Sequence, residues 1–384
     1  MANTLTSILP TIYEGLDVVS RELVGFIPAV TRNSSAARAA KDQNITYPIV
    51  PAITAEDVTP GNTPADSGDQ TIGSATMTIS KSRVAPVRWT GEEQQALGNG
   101  DKAQGSNIMR DQFAQAFRTL CNEVESDLGL LYKGASRAYG TAGTAPFGTA
   151  SDFTDFSNII KILDDNGAPK TDRHIVLGTA AMVNLRGKQS GLFKVNEAGS
   201  AELLRQGMVT QIMGFGIHDS AQIKTHTKGT GASYTTNAAG YAVGATSITL
   251  ITGTGTVLAG DVVTFAGDTN KYVVATGVAA PGTIVLAAPG LLVAIPTAAT
   301  ALTVGNSSAD NMAFSRNALH LVTRHPAMPD GGDDADDVAT ITDPVSGLSF
   351  QLAVYRQYRR IKYEIGLAWG VKAVKAEHSA ILLG

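Results

Sequence analysis

Met109-Arg-Asp-Gln-Phe113-Ala-Gln-Ala-Phe117-Arg-Thr-Leu120-Cys-Asn-Glu-Val124-Glu-Ser-Asp-Leu128-Gly-Leu-Leu131-Tyr-Lys133 is the stretch whose spacing says most about the fold. Its large apolar residues, Met109, Phe113, Phe117, Leu120, Val124, Leu128 and Leu131, advance by four, four, three, four, four and three. Steps of three and four keep one face of a 3.6-residue helix apolar, here over about seven turns. Asp101-Lys-Ala-Gln104 has the spacing of a capping box, Ser106 is a rival N-cap, and Lys133-Gly134 supplies the stop. Cys121 sits beside the stripe with no His or basic cluster near it, so it reads as a small core residue rather than a nucleophile.

Towards the amino terminus, Ile12, Leu16, Val19, Leu23 and Phe26 mark another helical face, within residues 8–27 and stopped by Pro28. Ala29 to Asp42 is small and polar and reads as a flexible connection. Ile45 to Ile53 reads as a strand that enters a long polar excursion containing Pro60-Gly61, Pro64 and Gly68-Asp69. Ile72, Met77, Ile79, Val84 and Val87 mark the strand that returns. Ordering residues 51–80 costs roughly 30–60 kcal/mol in backbone entropy, at about 1–2 per residue. The larger apolar side chains available to offset this are Ile53, Val58, Ile72, Met77 and Ile79, each contributing about 1.5–3 kcal/mol if fully buried. Such an arm barely supports itself, which predicts docking on a neighbouring subunit. The competing reading is a hairpin lying on its own domain.

Towards the carboxyl terminus the pattern alternates. A helix carrying Phe156, Ile159, Ile160 and Leu163, capped by Asp152 and closed by Asn166-Gly167, precedes a strand at His174-Ile-Val-Leu177. A helix around Ala180–Leu185, a helix over 199–208 and a strand over Val209–Ile217 follow. From Gly229 to Gly305 the only charges are Asp261, Asp268 and Lys271. Within that segment Ile248–Ile251, Val262–Phe265, Tyr272–Ala275, Ile284–Leu286, Leu291–Ile295 and Leu302–Val304 read as short strands between Gly, Pro and Asn turns, a small all-β barrel or sandwich. The uncharged run Tyr272 to Ala309 is long enough for a membrane span, but Pro281, Pro289, Gly290 and Pro296 break it. Leu319–Val322 reads as a strand; Phe350, Leu352 and Val354 alternate, as do Ile361, Tyr363, Ile365, Leu367, Trp369 and Val371.

Composition bounds the function. The chain of 384 residues is 43% hydrophobic and 17% charged, with 40 glycines and a net charge of -4. These values exclude wholesale disorder and a protein built to coat nucleic acid. One cysteine forms no intrachain disulfide. The amino terminus lacks the basic start and apolar run of a signal peptide. No phosphate-binding Gly-rich loop, metalloprotease His-Glu-x-x-His, nucleophile elbow or Cys-x-x-Cys occurs. His218 and His226 lie eight apart and His320 and His325 five apart, neither a zinc spacing. Asp333, Asp334, Asp336 and Asp337 lack the ligand spacing of a calcium loop. They read as a solvated loop, and as natural partners for the basic strands bearing Arg356, Arg359, Arg360, Lys362, Lys372 and Lys375. No catalytic, cofactor or metal residues are assigned.

The order of parts resembles the major capsid (coat) protein of tailed double-stranded-DNA bacteriophages. It is most similar to the short-tailed-phage coat proteins that carry an inserted domain. The residues behind this are the arm Leu9–Val30, Ile45-Thr-Tyr-Pro-Ile49 at the start of the extended loop, and the helix Gly105–Lys133. His174-Ile-Val-Leu-Gly178, Ala259-Gly-Asp-Val-Val-Thr-Phe-Ala-Gly267 and Ile365-Gly-Leu-Ala-Trp-Gly-Val371 complete the set.

The resemblance implies an α+β capsid fold. Its parts are an N-terminal arm over 1–44, an extended loop over 45–90 and a peripheral domain over 91–150 with a long spine helix. An axial α/β domain over 151–223, an inserted small β-barrel over 224–305 and return strands over 306–384 follow. It implies a structural subunit rather than an enzyme. It further implies copies that form hexamers and pentamers of an icosahedral shell, with a scaffolding protein, a portal and packaged double-stranded DNA in non-specific contact. Assembly in the host bacterial cytoplasm, no cofactor and no membrane partner complete the expectation. The extended loop would lie over a neighbour, making Ile53, Val58, Ile72, Met77, Ile79, Lys81 and Arg83 the expected inter-subunit contacts. The segment Gly229–Asn237 is uncharged, so charge pairing between inserted domains is not expected. Two other readings are a nanocompartment shell protein, and a β-rich carbohydrate-binding protein or hydrolase using residues 229–305.

Overall fold

The computed structural model describes residues 11–16, 25–49, 55, 57–58, 60–61, 72–98, 102–188, 211–343 and 347–384. The apolar stripe forms one α-helix, Lys102–Gly129, which tightens into a 3-10 turn at Leu130–Gly134. Phe113, Phe117, Leu120, Val124 and Leu128 are at most 2% exposed. They lie on a mixed sheet, where Phe113 meets Tyr363 edge-on at 5.5 Å and Phe117 meets Phe350 at 5.1 Å, the geometry that aromatic quadrupoles favour. Cys121 is buried beside them, and burial pushes its thiol pKa far up.

The sheet is organised around the strand Arg360–Ala373. One edge pairs antiparallel with Lys81–Thr90, and the other divides. Residues 360–366 pair there with Ser349–Gln357, and residues 368–373 with Leu319–Pro326. Asp337–Thr342 extends the first branch and Thr31–Ala39 runs parallel to Leu319–Pro326 on the second. The central strand alternates large and small. Ile365, Leu367 and Trp369 belong to the core under the long helix, while Gly366, Ala368 and Gly370 fall on the other face. There a Cβ on Gly370 would sit 2.1 Å from Thr78 O, and one on Gly366 3.0 Å from Pro326. The small residues let a second layer of backbone lie directly on the strand.

Thr31–Ala39 corrects an expectation, since residues 29–42 read as a flexible connection. Its sequence, TRNSSAARA, carries no apolar alternation. Backbone pairing and polar clasps hold it: Arg324 donates to Asn33 O at 2.9 Å, Ser34 Oγ accepts from Ser349 N at 3.2 Å, and Arg38 donates to Pro326 O at 3.0 Å. Nearer the amino terminus, residues 11–16 are helical with Ile12 and Leu16 buried. A Cβ on Gly15 would lie 3.0 Å from Arg110 O, so this turn presses on the long helix. Phe26–Ala29 is a separate short turn, its Phe26 stacked on Phe314. Val19 and Leu23 lie outside the described residues.

A second sheet stands beside the first, with Arg137–Tyr139, Ser379–Leu383, Ser308–Ser315, Arg173–Leu177 and Phe215–Asp219 in that order. Helices Thr154–Asp165 and Thr179–Lys188 bury Phe156, Ile159, Leu163, Met182 and Leu185 against it. The single strand expected over Val209–Ile217 is a hairpin of Gln211–Ile212 and Phe215–Asp219. Its turn residues Met213 and Gly214 sit at φ 48° and 82°, as tight hairpin turns require. The helix expected over 199–208 lies outside the described residues.

The same sheet continues through Lys271–Thr276 into six strands that pair in a closed ring. Ala232–Thr236, Ser247–Thr254, Thr283–Leu286, Lys271–Thr276, Val262–Phe265 and Ala301–Val304 pair in that order, and the last pairs with the first. Ile248, Val263, Tyr272, Val274, Ile284 and Leu302 fill the ring with a core of its own. Leu291–Ile295, expected as a strand, is irregular apart from one bridge between Ile295 and Tyr241. Its Leu291 and Ile295 still point into the ring core; apolarity there reported burial, not extension.

Candidate assembly surface

The excursion begins and ends as a two-stranded hairpin, Asn44–Ile49 against Gly73–Thr78, in register from Asn44 opposite Thr78 to Ile49 opposite Gly73. Its root is fixed to the first sheet. Ile79 N donates to Gln43 O at 3.0 Å and Ser80 N to Trp369 O at 3.0 Å. Lys372 Nζ reaches Thr76 O at 2.8 Å. Met77 and Ile79 pack with Ala39, Val322 and Ala368 in a small core of the same chain.

This divides the seven expected contact residues. Met77 and Ile79 are 1% and 0% exposed, so their burial is accounted for without a neighbour. Val58 and Ile72 are 96% and 70% exposed. Ile53 lies outside the described residues. Lys81 Nζ is 2.7 Å from Asp127 Oδ1 on the long helix, so it too is engaged within the chain. Arg83 is mostly exposed, 3.7 Å from Glu123, an exposed pair worth at most about 1 kcal/mol.

Sequence reading missed the residues that hold this root in place. Asp127 also accepts from Trp369 Nε1 at 2.9 Å, so one carboxylate fastens strand Lys81–Thr90 and strand Arg360–Ala373 to the long helix. Two positions earlier, buried Glu125 accepts from Phe26 N at 2.8 Å, Ile27 N at 2.7 Å and Ser220 Oγ at 3.1 Å. Burial raises its carboxyl pKa, and the two amides oppose that shift. Positions two apart point to opposite sides of a helix, so the pair fastens the hairpin root on one side and the N-terminal segment on the other. The only signal was two acids between Val124 and Leu128, which a stripe reading treats as solvated.

The histidines separate into unrelated clusters. His218 Nε2 lies 3.0 Å from His174 Nδ1, and His174 Nε2 lies 2.9 Å from Asp172. His226 lies between Tyr132 OH at 2.8 Å and Asp261 Oδ1 at 2.7 Å. That Tyr-His-Asp series has the order of a proton relay, but the three residues are 3%, 7% and 0% exposed. Its evident role is to join the end of the long helix to the ring. His320 packs edge-on against Tyr47, and His325 is buried. Among the described residues no group of three His, Cys, Asp or Glu side chains could hold a metal ion. No helix among them is long and apolar enough to cross a membrane. Of the acidic run, Asp336 pairs with Arg356 at 3.1 Å and Asp333 accepts from Tyr355 OH.

Near the Tyr132 cluster, burial lifts the carboxyl of Asp310 from 3.8 to about 6, although Ser308 Oγ donates to it at 2.8 Å. A carboxyl whose folded pKa exceeds its unfolded value favours folding below about pH 4, and that advantage is lost as pH rises towards 6. A shift of roughly two units corresponds to about 3 kcal/mol. Asp310→Asn is therefore expected to be about 1–3 kcal/mol more stable than the parent chain at pH 7.5 and equal to it at about pH 3.5. Urea unfolding at the two pH values checks this, and a gain of equal size at both would refute the assignment.

No protein-family model matches the chain, and no curated protein matches it. Among solved structures, the capsid structure of the cyanophage P-SCSP1u is 11% identical with a TM-score of 0.47, covering 93% of this chain and 87% of that one. A structure from Mycobacterium phage Che8 is 11% identical with a TM-score of 0.44, covering 90% and 85%. A virus-like particle from Pyrococcus furiosus is 8% identical with a TM-score of 0.42, covering 97% and 98%.

Proposed function

We propose that the chain is a structural shell subunit, the major capsid protein of a tailed phage, whose copies associate through the extended hairpin. The observation that carries this reading is the hairpin itself. Its root shares a core with the first sheet, while Val58 and Ile72 beyond the root are 96% and 70% exposed. Two large apolar side chains held out on an arm contribute nothing to the free subunit and await a cover. In this reading residues 91–134 and the first sheet form the peripheral part, the second sheet the axial part, and the ring an inserted barrel. Scaffolding protein, portal and packaged double-stranded DNA are the partners that the family resemblance supplies.

Co-expression with the neighbouring genes, followed by electron microscopy of the lysate, tests this. Shells or capsomers are expected; a monodisperse monomer under every assembly condition would overturn the reading. The hairpin provides a second readout. Limited proteolysis is expected to cut free subunits between residues 50 and 72 while sparing 73–80, whose Met77 and Ile79 are buried in the chain's own core. Assembled particles should resist cleavage at both. Equal cleavage in the two states would place the arm on its own subunit or in solvent.

A further inference from the structure

Where the ring strand Lys271–Thr276 pairs with Arg137–Tyr139, helix Thr154–Asp165 passes alongside and a cavity of about 350 Å³ opens between them. Arg137 lines it while being only 2% exposed. Its Nη2 donates to Ile162 O at 3.3 Å, Asp165 Oδ2 at 3.2 Å and Asn166 Oδ1 at 3.3 Å. Its Nε is buried with no acceptor. Buried donors are almost always satisfied, and an orphaned one on a cationic group is the expensive kind.

Two further cations line the same cavity. Lys161 stands on the helix, 3.6 Å from Asp165. Lys271 comes from the ring, its Nζ donating to Gly140 O. Its pKa is lowered by burial, with no carboxylate opposing the shift. Asp165 is the carboxylate that contacts Arg137 and Lys161. Set against it and against Asp268, whose Oδ1 accepts from the lining Asn270 Nδ2 at 2.6 Å, three cations leave a net positive charge around one concave space. Asn158 and Asn270 complete the polar wall.

We propose that this cavity binds a small oxyanion of the phosphate class, held by Arg137, Lys161 and Lys271. A tetrahedral oxyanion offers lone pairs in several directions, which suits one guanidinium and two ammonium groups that line the cavity from different elements. The occupant is a free ion rather than a nucleic-acid phosphodiester. The cavity lies in the angle between two elements, and a chain of net charge -4 lacks the broad positive field that duplex binding needs. Bound there, the ion ties the ring to the helix layer. This inference does not depend on the shell reading and stands or falls separately.

The test is titration of the full chain with inorganic phosphate at constant ionic strength, followed by thermal unfolding and phosphorus NMR. Saturable binding with a Kd between about 10 μM and 1 mM is expected. Because Arg137 is tied into the fold, the variants are Lys161→Gln and Asn158→Asp on the helix surface. Lys161→Gln should weaken binding by about fivefold and Asn158→Asp by more than about tenfold. Both should unfold close to the parent chain when phosphate is absent. Stabilisation that fails to saturate and is matched by chloride, or variants that bind phosphate as the parent does, overturns the proposal. A short DNA duplex titrated in parallel should not displace phosphate. Duplex binding lost in the same variants, with no response to phosphate alone, overturns the free-ion assignment.

Discussion

A chain carrying Val58→Asp and Ile72→Asp is expected to fold as the parent does and to form no shells. In the free subunit the two side chains are 96% and 70% exposed, and exposed substitutions usually change stability by less than about 0.5 kcal/mol. In the assembled state proposed above, the same positions are covered by a neighbour. Each aspartate would then be an unpaired carboxylate taken out of water, costing at least about 2 kcal/mol even after local relaxation. Two per contact raise the concentration needed for association by about a thousandfold. Circular dichroism and the unfolding midpoint check the fold; sedimentation and negative-stain microscopy check assembly. Val58→Thr with Ile72→Thr is the milder companion, expected to assemble at reduced yield. Shells formed by the aspartate variant at the parent's concentration would mean that these residues face solvent in the particle.

Elements that bury one face were legible, because one-sided burial writes a period into the sequence. The stripe from Phe113 to Leu128 and the alternation from Ile361 to Trp369 both lie on the core faces they implied. Strands buried on both faces write no period. Ser308–Ser315, with sequence SADNMAFS, is buried at nearly every position and went unread, as did Ser379–Leu383. Thr31–Ala39 failed for the opposite reason, since its pairing is carried by backbone and polar groups.

The residues expected at a subunit contact show the limit most clearly. Val58, Ile72, Met77 and Ile79 carry the same local signal, an apolar residue in a polar arm. What separates them is the small face of a strand almost 300 positions away, where Gly366, Ala368 and Gly370 admit the hairpin root. The long helix hid its polar fastenings in a similar way. Glu125 and Asp127 look like the solvated side of an amphipathic helix until Phe26, Lys81 and Trp369 are brought to them.

The largest stability loss from a single polar substitution is expected at Asp127. Its side chain is 11% exposed, and the carboxylate serves Lys81 Nζ at 2.7 Å and Trp369 Nε1 at 2.9 Å. Asp127→Ala removes two charge-assisted hydrogen bonds, each worth about 1.5–3 kcal/mol, and leaves the indole N–H of Trp369 buried without an acceptor. Lys81 is about a third exposed, so water recovers part of its share. A net loss of about 3–5 kcal/mol follows, comparable to emptying a core site. The two partners can be separated by double-mutant cycles in urea. The Asp127–Trp369 pair, measured with Trp369→Phe, should couple by about 2 kcal/mol, and the Asp127–Lys81 pair, measured with Lys81→Met, by about 1. Because the strand carrying Lys81 continues directly from the hairpin root, Asp127→Ala should also loosen the arm. Cleavage in the free subunit would then extend from residues 50–72 into 73–80. A loss below about 1 kcal/mol with the cleavage pattern unchanged would show that the root is held by Met77 and Ile79 alone.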